Sequence, residues 1–410
     1  MKTPRDINLW RIPLQVSLGT VLLFLITLTP DVLAAKGVIQ LPEWFSMGSI
    51  DDSRAILGAL LGAVSTVLAL IFSVALLVLS MVATLFGPRL LYRFVQDWVT
   101  QVTIGAFMGT FVYILLVFLV LHSDANSTFI PQVCLFTSWF LVIASFSLLV
   151  YYSHRIAVSI QNPDMVARIG DDIRRSLEHC PPGRAAAPSQ AEGGTAVLCR
   201  ASGYIQEVHY QALIDLASQH QGRIELNFRQ GQFCLQGEAL ARVWPNTLEP
   251  VVRQHVRLGR HRLLLQDCEF GILQMVEIAI RALSPAINDT FTGVACTDWL
   301  GDALVSLAEA GERGNHWADR QGVTRLSQPP LPFARLAKAG FDQIRQAALD
   351  TPAVQIRLLQ TIQRLLPRVA EKDREGLWQQ AHAIAEMAEK GQLASLDKAE
   401  VLAVYKAILP

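Results

Sequence analysis

Apolar and polar residues follow two regimes along this chain, and the change falls near Tyr152. Before it lie long runs free of charge, the longest of which, Ala55 to Phe86, holds no ionisable side chain. About 20 apolar residues cross a hydrocarbon core of roughly 30 Å, so this run spans a bilayer with a turn or two to spare. Gly87-Pro88-Arg89 then supplies a helix breaker and a charge where the chain returns to water. Three further runs have membrane length, giving spans at about 12–34, 55–86, 103–121 and 131–152. Lys2, Arg5 and Arg11 precede the first run, and Val32-Leu33-Ala34 before Ala35 also fits a secretory cleavage site. An uncleaved helix and a cleaved signal both accommodate that segment, and after either the chain emerges outside. Arg89, Arg93 and the bases from Arg155 onward fall on the side of the N-terminus; Lys36 and Arg54 fall on the other. That asymmetry predicts four helices with both termini in the cytosol.

The spans carry packing signals. Gly58 and Gly62 form one GxxxG pattern and Gly105 and Gly109 another, which suits backbones approaching closely in lipid and suggests that spans two and three meet each other or a symmetry mate. Gly62, Thr66, Ala69, Ser73 and Ser80 recur at helical spacing as a small, hydroxyl-bearing stripe. A packing seam and a pore lining are the two readings of it. No Asp, Glu, Lys, Arg or His lies in the middle of a span, Asp31 being near the end of the first, which argues against a proton-coupled pump.

The pattern after Tyr152 is that of a water-soluble α+β region. Asn162 and Pro163 start an amphipathic helix with Val166, Ile169, Ile173 and Leu177 on one face, a stalk or membrane-surface helix, and CPPGRAAAPSQAEGG follows as a linker, together 161–194. A small β-rich module is expected at 195–248: Ile224, Leu226 and Phe228 alternate with Glu225, Asn227 and Arg229, and Gln230-Gly231-Gln232 turns the chain. From 249 to 410 helices dominate, among them one at about Glu269–Leu283 with Glu277 and Arg281 paired outside, and one capped by Asn288 or Asp289. Four more helices follow Pro330.

Composition narrows the classes. The 410 residues are 51% hydrophobic, and 35 basic side chains balance 35 acidic ones, so no global field recruits nucleic acid. The six cysteines show no CxxC pair and no zinc spacing; read as unpaired thiols, they favour a reducing compartment, the cytosol. Arg253, Arg257, Arg260, His261 and Arg262 form the densest basic cluster, with His255 among them. It reads either as a site for anionic lipid headgroups or as a solvated face paired with acids such as Asp267 and Glu269. Asp267, Glu269, Glu277, Asp289 and Asp298 lie close in sequence; caps and helix-surface pairs account for them, and a divalent ion is the alternative. No Walker loop, GxGxxG after a strand, GxSxG or HExxH is present, so no catalytic residue, cofactor or metal is assigned and an enzyme is the least supported class.

Several strings resemble a known family. FGPRLLYRFVQDWVTQVTIGAFMGTFVYILLVFL at Phe86–Leu119 and GRHRLLLQDCEFGILQMVEIAIRALSPAINDTFTGVACTDWLGDAL at Gly259–Leu304 are similar to the bacterial predicted membrane-protein family known as domain of unknown function twenty-two fifty-four. SGYIQEVHYQAL at Ser202–Leu213 and GQFCLQGEALARV from Gly231 also resemble it. The second of these looks in addition like the turn-and-strand pattern of barrel-sandwich modules, without a lysine for a lipoyl or biotinyl group. The family resemblance implies an inner-membrane protein with an N-terminal helical region and a cytosolic C-terminal region, and no activity. Two functions are compatible: an oligomeric pore or permeation path with a cytosolic regulatory domain, or a membrane-anchored sensor or scaffold whose cytosolic domain binds a ligand or partner. The expected partners are the bilayer, further copies of the chain and anionic lipid.

Overall fold

The computed structural model describes residues 11–39, 42, 49–86, 98–122, 129–159, 162–179, 193–310 and 315–409. The breaker at 87–88, Arg89, Arg93, most of the expected linker with Cys180, and Gly311 and Gly314 lie outside the described residues. The chain divides into two compact units, residues 1–161 and 162–410.

Among the described residues the first unit holds four helices long and apolar enough to cross a membrane: α1 (Arg11–Ala35), α2 (Ile50–Phe86), α3 (Trp98–His122) and α4 (Gln132–Ser159). α2 begins in a capping box: Ser49 N–H donates to Asp52 Oδ2 at 3.1 Å and Asp52 N–H to Ser49 Oγ at 3.2 Å. The helices alternate in direction. Arg54 near the start of α2 donates to the Leu121 carbonyl at the end of α3 at 2.9 Å. Asp31 near the end of α1 accepts from Val133 N–H at 2.9 Å and Cys134 N–H at 3.0 Å at the start of α4. One buried carboxylate thereby caps a helix whose own sequence offers no cap, and lipid offers no water to do so.

Between α1 and α3 the close approach depends on missing side chains. A Cβ at Gly105 would lie 3.0 Å from Pro13 Cα, and one at Gly109 would lie 2.8 Å from Thr20 Cγ2. The glycines of α3 therefore seat α1; spans two and three do meet, as expected, but not through Gly58 and Gly62, which have nothing within 4 Å. α2 instead turns Leu57, Val64, Ile71 and Val78 inward, one buried residue every seventh position.

The second unit is mixed. Its first helix, α5 (Asn162–Glu178), buries Val166, Ile169 and Ile173 within the unit rather than standing free as a stalk. The β structure comprises β1 (Thr195–Leu198), β2 (Gly203–Val208), β3 (Arg223–Leu226), β4 (Phe233–Cys234), β5 (Ala239–Trp244), β6 (Val256–Gly259), β7 (His316–Ala318) and β8 (Thr324–Ser327). They form a five-stranded sheet in the order β1-β5-β3-β8-β7, with β3 and β8 parallel, and a three-stranded sheet β4-β2-β6. Strands beyond residue 248 thus complete both sheets, and the β structure does not stop at the boundary read from the sequence. Helix α6 (Tyr210–Gln219) buries Leu213, Ile214 and Ala217 on them.

Cys199, which follows β1, is disulfide-bonded to Cys234 in β4. The bond links the two sheets and corrects the reading of wholly unpaired thiols; long-range backbone pairing of Cys199 with Gly237 and Glu238, invisible in the sequence, brings the two together. The compartment argument built on free thiols falls with it; the cytosolic expectation then rests on Lys and Arg alone, and this bond weighs against it, disulfides being rare in reducing compartments. Cys134, Cys268 and Cys296 are free and buried.

A four-residue helix α7 (Glu249–Val252) precedes the larger helices α8 (Cys268–Ala282), α9 (Thr290–Glu309), α10 (Phe333–Ala347), α11 (Pro352–Leu365), α12 (Glu371–Lys390) and α13 (Ser395–Ile408). Asp267 caps α8 through Phe270 N–H at 3.1 Å, and Asp289 caps α9 through Thr292 N–H at 3.0 Å. Ile272, Leu300, Leu304, Phe341, Leu358 and Ile362 are fully buried among these helices.

Candidate functional site

The strand pattern that places Arg229 outward ends three residues too early. β3 stops at Leu226, and the turn that follows carries Arg229 and Gln230 inward, each 6% exposed. They line a cavity of about 150 Å³ within the second unit, walled by Tyr210 and Trp317, by Gln266 and Asp267 before α8, by Gln328 and Pro330 after β8, and by the first residues of α10 and α12.

The polar side chains of the wall hold one another in place. Gln230 Nε2 donates to Tyr210 Oη at 2.6 Å, and Tyr210 Oη donates to Gln328 Oε1 at 3.0 Å. Gln266 accepts from Val208 N–H at 2.9 Å and donates to the Val208 carbonyl at 3.2 Å, as a further strand would. The rings of Tyr210 and Trp317 lie 4.7 Å apart. Groups fixed in this way present a ready-made surface, since little side-chain freedom remains to be lost on binding.

Behind the wall sits an ion cluster. Arg262 grips Asp267 with both arms, at 2.8 and 2.9 Å, and reaches Glu269 at 3.3 Å; Arg335 donates to Glu269 at 2.7 Å. Arg229 lies 3.8 Å from the same Glu269 and donates through Nη1 to the Pro330 carbonyl at 3.1 Å, but its buried Nη2 makes no hydrogen bond. Gly231 shapes the junction: its φ of +82° suits glycine, and a Cβ there would fall 2.1 Å from Asp267 Oδ2. Burial works against Glu269's charge, yet Arg335, Arg229 and Arg262 together hold its carboxyl below the usual range. Burial prevails at Asp267, raising it against the pull of Arg262. At Arg229, burial and then the charge of Arg335 lower the guanidinium.

The residues singled out from the sequence lie elsewhere or in supporting roles. Gly58 and Gly62 face open space, and Gly62, Thr66, Ala69, Ser73 and Ser80 share one exposed face of α2. Thr66 donates to the Gly62 carbonyl at 2.9 Å and Ser73 to the Ala69 carbonyl at 3.0 Å, so both hydroxyls are satisfied by their own helix. The basic cluster is divided: Arg253 pairs with Glu249 and Arg262 with Asp267 and Glu269, Arg257 is half-buried, and Arg260 and His261 are exposed. Of the carboxylates, Glu277 pairs with Arg281 at 3.5 Å and Asp298 with Arg357 at 3.6 Å, each away from the Asp267–Glu269 cluster. No group of three or more His, Cys, Asp or Glu able to hold a metal occurs among the described residues. Sequence reasoning missed Arg229, Tyr210, Trp317 and Gln328; the one signal was the Gln-Gly-Gln turn beside Arg229, which ends the strand before that residue.

Four membrane-length helices among the described residues and a separate mixed α/β unit with a cavity of its own define a multi-pass membrane protein with a large extramembrane part. Residues 7–364 match the family described as "Predicted membrane protein (DUF2254)". The chain belongs to that family. It is 28% identical over 381 residues to uncharacterized proteins of Mycobacterium bovis (Mb1321c) and Mycobacterium tuberculosis (Rv1290c), covering 87% of this chain and 72% of each relative. No solved structure matches it.

Proposed function

We propose that this protein is a membrane-anchored sensor: the four spans tether it in the bacterial inner membrane, and the unit after residue 161 binds a small molecule. Both termini lie in the cytosol on this reading, which the asymmetry of Lys and Arg across the loops supports. The observation that carries the binding function is the cavity of about 150 Å³ with fixed amides, an aromatic pair and a buried guanidinium in its wall. Apolar cavities of that size take a single benzene-sized ring. The test is a thermal-shift screen of full-length protein in detergent with ring-sized fragments, run beside Ala308→Trp, which fills the cavity from its wall. Fragments that stabilise the parent and not the filled variant support the reading. A screen in which none does so refutes it.

A second reading is favoured by the exposed small-residue face of α2, where Gly58 and Gly62 have nothing within 4 Å. Copies of the chain would join along that face, in the fullest form around a pore. Cysteines placed at Gly62 and Thr66 test it: oxidative cross-links between copies in native membranes support the assembly, and none at either position dismisses it.

A further inference from the structure

We infer that the cavity of the second unit takes a small carboxylate with an apolar body, and that Arg229 is the group that reads its charge. The inference rests on the binding reading above and names the class of ligand. Arg229 lines the cavity with a side chain more than nine-tenths buried, and its enclosed Nη2, 3.8 Å from Glu269, makes no hydrogen bond. A buried donor left unpaired is costly, and a carboxylate is the acceptor that a planar guanidinium matches in both charge and geometry. Its acidic neighbours are already engaged: Glu269, 3.8 Å away, by Arg335 and Arg262, and Asp267 by Arg262, so neither is committed to Arg229 alone.

The acids in the wall do not reverse this preference. Asp267 is held by both arms of Arg262 and by Phe270 N–H, and Asp373 lies in the first turn of α12, where the helix dipole offsets its charge. α10 also starts at the cavity without a side-chain cap or an acid in its first turn, so one uncompensated positive helix end faces the region. Apart from Ser176 and Asn315, the remainder of the wall is largely apolar, with Phe333, Leu336, Leu307 and Val369, and accepts a ring or a branched chain. Cavity volume limits that body to about one ring.

Benzoate, benzamide and benzylamine share that ring and differ in charge. Each is titrated into full-length protein in detergent, with binding read by ligand-observed NMR, for the parent, Arg229→Lys, Arg229→Gln and the filled variant Ala308→Trp. Benzoate is expected to bind about 10- to 100-fold more tightly than benzamide, the range of one charge-assisted hydrogen bond. Arg229→Lys, which keeps a charge beside Glu269 and so protects the fold, is expected to lose roughly tenfold through loss of the planar fork. Arg229→Gln should abolish the difference between benzoate and benzamide. If benzamide or benzylamine binds the parent as tightly as benzoate, and Ala308→Trp removes that binding, the cavity is a binding site and the carboxylate assignment is wrong. If Ala308→Trp leaves benzoate binding unchanged, or no probe binds the parent, the binding reading falls and the assignment with it.

Discussion

Replacing Glu269 by glutamine keeps the shape of the cluster and removes the negative charge that three guanidiniums share. Their nitrogens stand 2.7 Å (Arg335), 3.3 Å (Arg262) and 3.8 Å (Arg229) from its oxygens. Exposure separates the three: Arg335 is 54% exposed, and solvent screening leaves such a pair worth at most about 1 kcal/mol. Arg262 retains Asp267. Arg229, with a side chain 8% exposed, keeps only a carbonyl, and an unpaired buried charge costs about 3–5 kcal/mol. Glu269→Gln should therefore destabilise the second unit by about 3–5 kcal/mol, and Arg335→Gln by about 1 kcal/mol or less. Urea unfolding of the full chain in mild detergent, followed by tryptophan fluorescence, measures both. The pH dependence has a definite sign. Glu269 titrates below its ordinary 4.5 in the folded state, so its contribution is complete above that pH and is lost as pH falls through the depressed value. Asp267 is raised above its ordinary 3.8, so its contribution is present below that pH and fades as pH rises through the raised value. Glu269→Gln should consequently flatten the acid side of the stability profile. An unfolding midpoint equal to that of the parent, or an Arg335→Gln loss as large as that of Glu269→Gln, would refute the reasoning.

Three other outcomes follow from the two units. Gly109→Val forces a Cβ to within 2.8 Å of Thr20 and should lower stability in detergent by about 1–3 kcal/mol, whereas Gly58→Val, in open space, should change it by less than about 0.5 kcal/mol; equal effects would contradict the packing of α1 on α3. Thiol titration of denatured chain should find two more groups after reduction than before it, those of the Cys199–Cys234 bond; equal counts in both states would remove the disulfide. A reporter fused after His122 should be periplasmic and one at the C-terminus cytoplasmic, and a cytoplasmic signal from the first would overturn the orientation drawn from Lys and Arg.

The membrane unit was legible because lipid imposes a one-dimensional rule: a long charge-free run is a span, whatever its neighbours. Which glycines meet which helix was not legible, since Gly58/Gly62 and Gly105/Gly109 are the same pattern and only the packing of α1 tells them apart. Capping chemistry was readable at Asp289 and at the helix starting near residue 268, where side chain and backbone are three residues apart. Pairings across long separations were not: β3 with β8, Cys199 with Cys234, and Asp31 with the start of α4 each depend on the finished fold. The cavity failed for a related reason. Arg229 continues an alternating pattern that places it in solvent, and the early end of β3 turns it inward against residues nearly a hundred positions away.

The most direct measurement is a crystal structure of the full-length protein soaked with 4-bromobenzoate, read by the anomalous signal of bromine. The account predicts a peak inside the cavity among Trp317, Phe333 and Leu336, with the carboxylate within hydrogen-bond distance of the Arg229 guanidinium. Bromine located only outside that cavity at saturating ligand would contradict it.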